Sequence, residues 1–394
     1  MKRTGDEATQ PLLRVAHIIT KLELGGAQIN TLYTYENLDR RKFNPYLICG
    51  EGGILDTRVR NTKNFIKTGS LARPIHPWMD LKTVFAIRKT LKKINPHIVH
   101  THSSKAGIIG RVAAQSLRVP VIIHSVHGFS FSPFHGAIKR RFYQVTERLV
   151  ARFTTHFVFV SHQDIETARH MGLILENYSL IRSGFPFEQF IQPKTDHQDL
   201  RQRYKIPKDA FVCGIVAPFK PQKGLFHLID IAARVLEKRE NIIFLLAGDG
   251  EERRKIEAEL RRRNIEKNFR LPGFIDPIGP VLDLFDCAIS TALWEGLPQS
   301  LVQFRLKKIP VLASDIPGNR EVIQNNKNGF LIAVDDHETF CLKLLYLIDH
   351  PNEKQRLATF ADDYSEWRGE TMVKRQEQLY FSLFRRHVGA ELHR

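Results

Sequence analysis

Cysteine is scarce in this chain, and Cys49, Cys213, Cys287 and Cys341 are scattered with no paired spacing. That distribution excludes a disulfide scaffold or a metal knuckle, and the four read as small buried apolar side chains. Long apolar runs are missing too. "VPVIIHSV" and "NIIFLLAG" are too short to span a bilayer and are bounded by turn residues, so no transmembrane helix is expected. The opening "MKRTGDEATQPLLRVAHII" has acids ahead of a strand-like run and lacks the form of a signal peptide, so a cytoplasmic location is expected. Acidic residues are in short supply, 42 against 59 Lys and Arg, and residues 1–186 hold 27 of the basic and only 12 of the acidic ones. Such a field attracts nucleic acid, an anionic membrane face or a phosphorylated substrate. No repeated basic-aromatic module or finger spacing accompanies it, so specific nucleic-acid reading is not expected.

At 394 residues the chain is long enough for two globular domains. "RVAHIIT", "NPYLICG", "HIVHTH", "VPVIIHSVHG" and "THFVFVS" read as strands. Helical patterns such as "AQINTLYTYENL", "DLKTVFAIRKTLKKI" and "KAGIIGRVAAQSL" lie between them. Short apolar strands alternating with longer amphipathic helices predict a mostly parallel sheet covered on both faces. Pro186, Pro193 and Pro207 break the rhythm in a polar stretch, which predicts a first domain over 1–186 and a linker over 187–210. The pattern then restarts with "VCGIVAP", "GLFHLIDIAARVLEK", "NIIFLLAGDG", "EERRKIEAELRRR", "NFRLPGF", "CAISTA" and "IPVLASD". A second doubly wound, Rossmann-like domain is predicted over 211–365, facing the first across a cleft where ligand loops gather. The helical segment 366–394 is expected to dock back on the N-terminal domain, with a membrane-surface position as the other reading.

Several turns carry residues suited to a phosphate ligand. Gly25 and Gly26 stand between strand and helix in "LELGGAQ", where glycine permits close backbone approach and a helix amino end offers amides. The G-x-G-x-x-G fingerprint is absent, so dinucleotide binding is not supported, and a tight turn alone is the bland reading. The corresponding turn of the second half, "APFKPQKG", puts Lys220 and Lys223 ahead of a helix, two cations able to neutralise a departing phosphate oxygen or merely to meet solvent. Gly248, Asp249 and Gly250 form a further strand-to-helix turn, nucleotide-facing or structural. His127 follows a buried-strand pattern and is placed to bond a sugar hydroxyl, unless it is simply satisfied beneath "FSFSPF". His97, His100, His102 and His124 lie nearby; strand periodicity puts His100 and His102 on one face, but no carboxylate or Cys completes a metal pattern. In "ALWEGLPQSLVQF", Glu295 and Gln303 stand eight residues apart, a little over two turns if helical, and so are able to serve one ligand surface. The plain alternative for Glu295 is an acid favoured by the helix dipole.

"LGGAQ", "KPQKG", "LAGDG", "LPGF", "EGLPQSLVQ", "LASDIPGNREVI" and "NGFLI", taken in order, resemble family 4 of the retaining glycosyltransferases, which have the two-domain GT-B architecture. The resemblance covers most of the chain. It implies an activated sugar nucleotide held mainly by the second domain, acceptor recognition mainly by the first, and transfer without an obligatory cofactor or catalytic metal. Lys223 matches the lysine that contacts the donor diphosphate, Gly26 the loop approaching donor phosphate and sugar, and His127 the histidine that contacts the donor sugar. Glu295 matches the first acid of a paired-glutamate pattern, set against the donor sugar. Amides over Leu297, Pro298, Gln299 and Ser300 are expected to face the diphosphate.

Two positions depart from that pattern. Pro218 stands where the family has an arginine, so Lys220, two residues on, is expected to supply the cation. Gln303 stands where the second glutamate belongs; its amide can hold ribose hydroxyls but lacks the charge. A UDP-sugar is the expected donor, and a saccharide or lipid-linked saccharide for a surface polysaccharide the expected acceptor. Phe131, Phe134 and Phe142 beside Lys139, Arg140 and Arg141 predict peripheral contact with the inner membrane face. A sugar-nucleotide epimerase and a catalytically silent nucleotide-sugar binder are the alternatives.

Overall fold

A computed structural model describes residues 12–388 apart from 24, 70, 72–75, 130–136, 175 and 193–197; the side chains of 77, 137, 139, 140 and 189 also lie outside the description. Phe131 and Phe134 therefore fall outside the described residues. The chain divides into two compact units, one of residues 1–185 with 366–394, the other of residues 186–365.

The first unit is built on a sheet whose paired strands are all parallel: β1 (Leu13–Ile18), β2 (Phe43–Cys49), β3 (Phe65–Lys67), β4 (Ile98–His102), β5 (Val121–Val126), β6 (His156–Phe159) and β7 (Tyr178–Leu180). Their order is β3-β2-β1-β4-β5-β6-β7, so the direction of winding reverses between β1 and β4. Alternation along the strands separates two apolar layers. Ala16, Ile18, Val99 and Ile122 pack with Ile87, Leu91 and Ile109 of helices Pro77–Ile94 and Ser104–Gln115. Leu13, Val15, Ile98 and Ile123 pack instead with Met372, Val373, Tyr380 and Leu383 of the C-terminal helix Gly369–Val388. That helix completes the core of a sheet begun more than three hundred residues earlier.

The second unit holds β8 (Phe211–Val216), β9 (Ile242–Ala247), β10 (Phe269–Gly273), β11 (Cys287–Ser290), β12 (Val311–Ser314) and β13 (Gly329–Ile332). They are parallel in the order β10-β9-β8-β11-β12-β13, with the reversal between β8 and β11. Every residue of β9 is buried, as a sheet covered on both faces requires. Residues 186–192 and 198–210 belong to this unit, rather than to a separate linker as expected over 187–210. Phe187 and Phe190 are buried, and helix Glu188–Ile191 contacts helices Gly279–Leu282 and Gln299–Leu306. All four cysteines are free and buried.

Candidate active site

In the second unit the loops after β8 and β11 meet. Pro221–Lys223 makes one 3₁₀ turn ending at Gly224, which has φ +59° and opens helix Leu225–Leu236. A Cβ at Gly224 would come within 2.1 Å of the Thr291 carbonyl oxygen, so only glycine lets the two loops close on each other. Thr291 Oγ1 donates back to the Lys223 carbonyl at 3.1 Å, and the Leu293 amide donates to the Gln222 carbonyl at 2.9 Å.

This contact brings Lys223 to Glu295: its Nζ donates to Glu295 Oε1, and both side chains are largely buried. Gln222 Nε2 donates to the Trp294 carbonyl at 2.9 Å and to Glu295 Oε2 at 3.3 Å. Both carboxylate oxygens of Glu295 are thus held by the loop after β8. Gln222 is a site residue that the sequence pattern does not single out, since an amide between two lysines has no signature of its own.

Helix Gln299–Leu306 begins after Pro298, whose carbonyl accepts from the Leu301 amide, and its first turn carries no acid to oppose an anion. Leu297, ahead of the helix, and Gln299 and Ser300, its first two residues, are half-buried. The far end is anchored by Arg305, whose Nε donates to Asp362 Oδ2 at 2.9 Å with both side chains nearly enclosed. Gln303 lies half-buried on this helix and makes no side-chain hydrogen bond to another described residue. Lys220 precedes the 3₁₀ turn, and its amide donates to the Pro218 carbonyl at 2.9 Å. Gly248, at φ +152°, has a packing reason to be glycine: a Cβ there would meet the Ala217 carbonyl oxygen at 1.8 Å. The turn after β9 is thereby locked to the lysine loop; the Phe219 amide also donates to the Asp249 carbonyl at 2.9 Å.

In the first unit Gly25 caps helix Gly26–Asn37, with Gly26 exposed as its first residue and no acid in the first turn. His127 follows β5, and its Nε2 lies 3.3 Å from His102 Nδ1. His102 Nε2 lies in turn 3.1 Å from His17 Nδ1. His100, on the same sheet face, bonds Tyr380 through Nδ1 and Ser125 through Nε2, each at 2.7 Å. Ligand atoms of His17, His100 and His102 lie within 4.8 Å of one another, a grouping the sequence discloses only in part because His17 comes from β1. His124 turns to the other face and meets Thr101 at 2.9 Å, while His97 contacts Arg14. Burial pushes His127 down to about 4 and His17 to about 3, and burial first, then neighbouring histidines, holds His100 and His102 well below the usual range. These imidazoles are neutral near pH 7.

Two parallel, doubly wound units, one with a lysine-carboxylate pair at its strand-to-helix turns, have the architecture of the GT-B glycosyltransferases. Family models described as "Glycosyl transferase 4-like domain" and "Glycosyl transferases group 1" match residues 25–184 and 196–363. The chain belongs to the family-4-like GT-B glycosyltransferases. It is 29% identical over 348 residues to the UDP-Gal:alpha-D-GlcNAc-diphosphoundecaprenol alpha-1,3-galactosyltransferase of Escherichia coli, covering 87% of this chain and 90% of that protein. It is 23% identical to the capsular polysaccharide biosynthesis glycosyltransferase CapM of Staphylococcus aureus, over 82% and 85% of the two chains. Among solved structures, Anabaena HepE in complex with UDP-glucose superposes with a TM-score of 0.77 at 18% identity, covering 94% of this chain and all of that one. The sucrose-phosphate synthase of Thermosynechococcus elongatus gives 0.82 at 17% identity, over 95% and 99%. Relatives that are transferases favour group transfer over the epimerase and silent-binder alternatives.

Proposed function

We propose that this glycosyltransferase moves a hexosyl or N-acetylhexosaminyl group from a UDP-sugar to a lipid-linked saccharide, with retention at the anomeric carbon and without an obligatory metal. The observation that carries this reading is the Lys223–Glu295 pair, a cation and a carboxylate held together at the turns that the family resemblance assigns to diphosphate and sugar. The acceptor oxygen attacks the anomeric carbon from the face that the diphosphate leaves. As the carbon–oxygen bond to the diphosphate breaks, Lys223, Lys220 and the amides at the start of helix Gln299–Leu306 take up the growing negative charge. The departing diphosphate oxygen accepts the proton of the acceptor hydroxyl, so no separate base is needed. Glu295 stabilises the positive character at the anomeric carbon, His127 and Gly26 contact the donor sugar and phosphate, Gly25 supports that turn, and Gln303 takes the ribose hydroxyls. The closely covering relative's diphosphoundecaprenol-linked acceptor and UDP-sugar donor support the substrate classes.

The same reading places the enzyme at an anionic membrane face. Helix Ala137–Ala151 exposes Ile138, Phe142, Val145 and Leu149, a spacing that puts all four on one stripe, with exposed Arg141 on its flank. Its opposite side is anchored by Glu147 to Arg111 at 2.7 Å. No helix among the described residues is long and apolar enough to cross a membrane, so surface contact is the form of association proposed. A mass-spectrometric screen of sugar nucleotides against a lipid-linked acceptor pool tests the reaction. A sugar-sized mass gain in an acceptor supports it, and an isomerised donor with no acceptor consumed overturns it.

A further inference from the structure

Three imidazoles form an unbranched line from the core of the first unit to the end of β5. His17 Nδ1 faces His102 Nε2 at 3.1 Å, and His102 Nδ1 faces His127 Nε2 at 3.3 Å. The two outermost nitrogens, His17 Nε2 and His127 Nδ1, are buried atoms without a hydrogen-bond partner. A neutral imidazole has one N–H and one lone pair, so a line of three neutral rings with both links made can run in only two directions. Running outward, His17 donates to His102, His102 donates to His127, and the spare N–H is His127 Nδ1–H. Running inward, the spare N–H falls on His17 Nε2.

The two directions differ in where the unpaired donor sits. His17 is fully enclosed, between sheet and C-terminal helix, while His127 is partly exposed. Both end nitrogens are enclosed, but His127 as a residue is partly exposed and His17 is not, so only at His127 can a small side-chain movement give a spare N–H a partner. Because an unpaired buried N–H is costlier than an unpaired lone pair, the donor belongs at that end. The neighbouring rings do not disturb this choice. His100 stands 4.3 Å from His102 between centroids, but both its nitrogens are committed to Tyr380 and Ser125. Those commitments also argue for a hydrogen-bonded line over a three-histidine metal site, which would require His100 to give up one of two 2.7 Å bonds. The depressed basicity of all three rings agrees with a neutral line.

We propose that His102, held from behind by His17, is a positioning residue that fixes the tautomer of His127, so that His127 presents Nδ1–H as a donor to an oxygen acceptor. Identifying that acceptor as a hydroxyl of the donor sugar rests on the function proposed above; the tautomer itself does not.

Nitrogen-15 NMR of histidine-labelled full-length protein near pH 7.5, with His127→Gln to assign the signals, tests the proposal. The wild type is expected to show His127 protonated at Nδ1. His102→Leu removes the donor and is expected to move His127 toward the Nε2–H tautomer common in water. His102→Asn, whose amide can donate from nearly the position of Nδ1, is expected to restore Nδ1–H. kcat/KM for donor should fall about tenfold in the leucine variant, the worth of one neutral hydrogen bond, and recover in the asparagine variant. Nε2–H at His127 in the folded wild type overturns the proposal even if neither variant folds. One zinc per chain, bound with loss of these N–H signals, also overturns it. Nδ1–H at His127 with signals unmoved by saturating UDP-glucose or UDP-galactose leaves the tautomer assignment standing and removes His127 from the donor contacts.

Discussion

Gln222 holds Glu295 from one side while Lys223, the next residue, holds it from the other, so two consecutive side chains grip both oxygens of one carboxylate. Gln222 also reaches the Trp294 carbonyl, which ties the acid's backbone to the same loop. Gln222→Leu should leave the fold intact, at a cost of about 1 kcal/mol for the lost bonds. It should lower kcat/KM by roughly tenfold through misplacement of Glu295. Steady-state kinetics beside urea unfolding will separate the two effects. Unchanged kinetics would deny Gln222 a part in placing the acid.

Glu295→Gln keeps the shape and removes the charge. Donor affinity measured by calorimetry should change little, whereas turnover should fall about 100-fold or more, the scale on which preorganised electrostatic groups act. A wild-type turnover would take Glu295 out of the reacting centre. Gln303→Glu, by contrast, should act mainly on donor affinity.

Gly224→Ala tests the loop closure beneath the site. The substitution imposes a left-handed backbone on an L-residue and drives a methyl group against the Thr291 carbonyl oxygen. A loss of about 2 kcal/mol or more is expected. Donor binding should weaken even under conditions where the variant remains folded, because Lys223 and Glu295 are brought together by this contact.

Stability should fall as the solution is acidified. His17 and His127 each have a folded-state pKa below the unfolded value, so the unfolded chain binds more protons once the pH drops beneath about 6.5. The stability these groups hold is complete above that value and is lost as pH falls toward about 4 for His127 and about 3 for His17. The slope approaches about 1.4 kcal/mol per pH unit for each such group. Urea midpoints measured from pH 7.5 to 5 should therefore decline steeply, and His17→Leu should flatten that decline if it folds.

Phe142→Asp with Leu149→Asp should abolish salt-sensitive sedimentation with anionic vesicles while sparing transfer to a water-soluble acceptor. Equal vesicle binding by wild type and variant would remove this stripe from the membrane contact.

The alternation of short apolar strands with amphipathic helices makes both sheets legible, because strands covered on both faces read as unbroken apolar runs. β3, β7 and β13 escape that reading: each is only three or four residues long and sits at a sheet edge, where β3 and β7 are also only partly buried. The prolines between 186 and 207 do mark the passage from one unit to the next, but Phe187 and Phe190 draw the following residues into the second core. The chemistry follows the same division. Lys223 and Glu295 stand in recognisable motifs, whereas Gln222 and His17 act through partners 73 and 85 residues away. Such partners are set by strand order, which no local spacing encodes.

The return of the chain to its first unit also orders the molecule in time. Phe185 and Trp367, the points of departure and return, are joined by a 3.2 Å backbone hydrogen bond, and Phe185 accepts another from Gly369 at 3.0 Å. The second unit is thus inserted into the first, and it is synthesised whole while the first still lacks a wall of its core. Until residues 369–388 leave the ribosome, Val15, Ile98 and Ile123 have no helix to cover them and His100 has no Tyr380. The first unit, although translated first, cannot complete its core until residues 369–388 have been made.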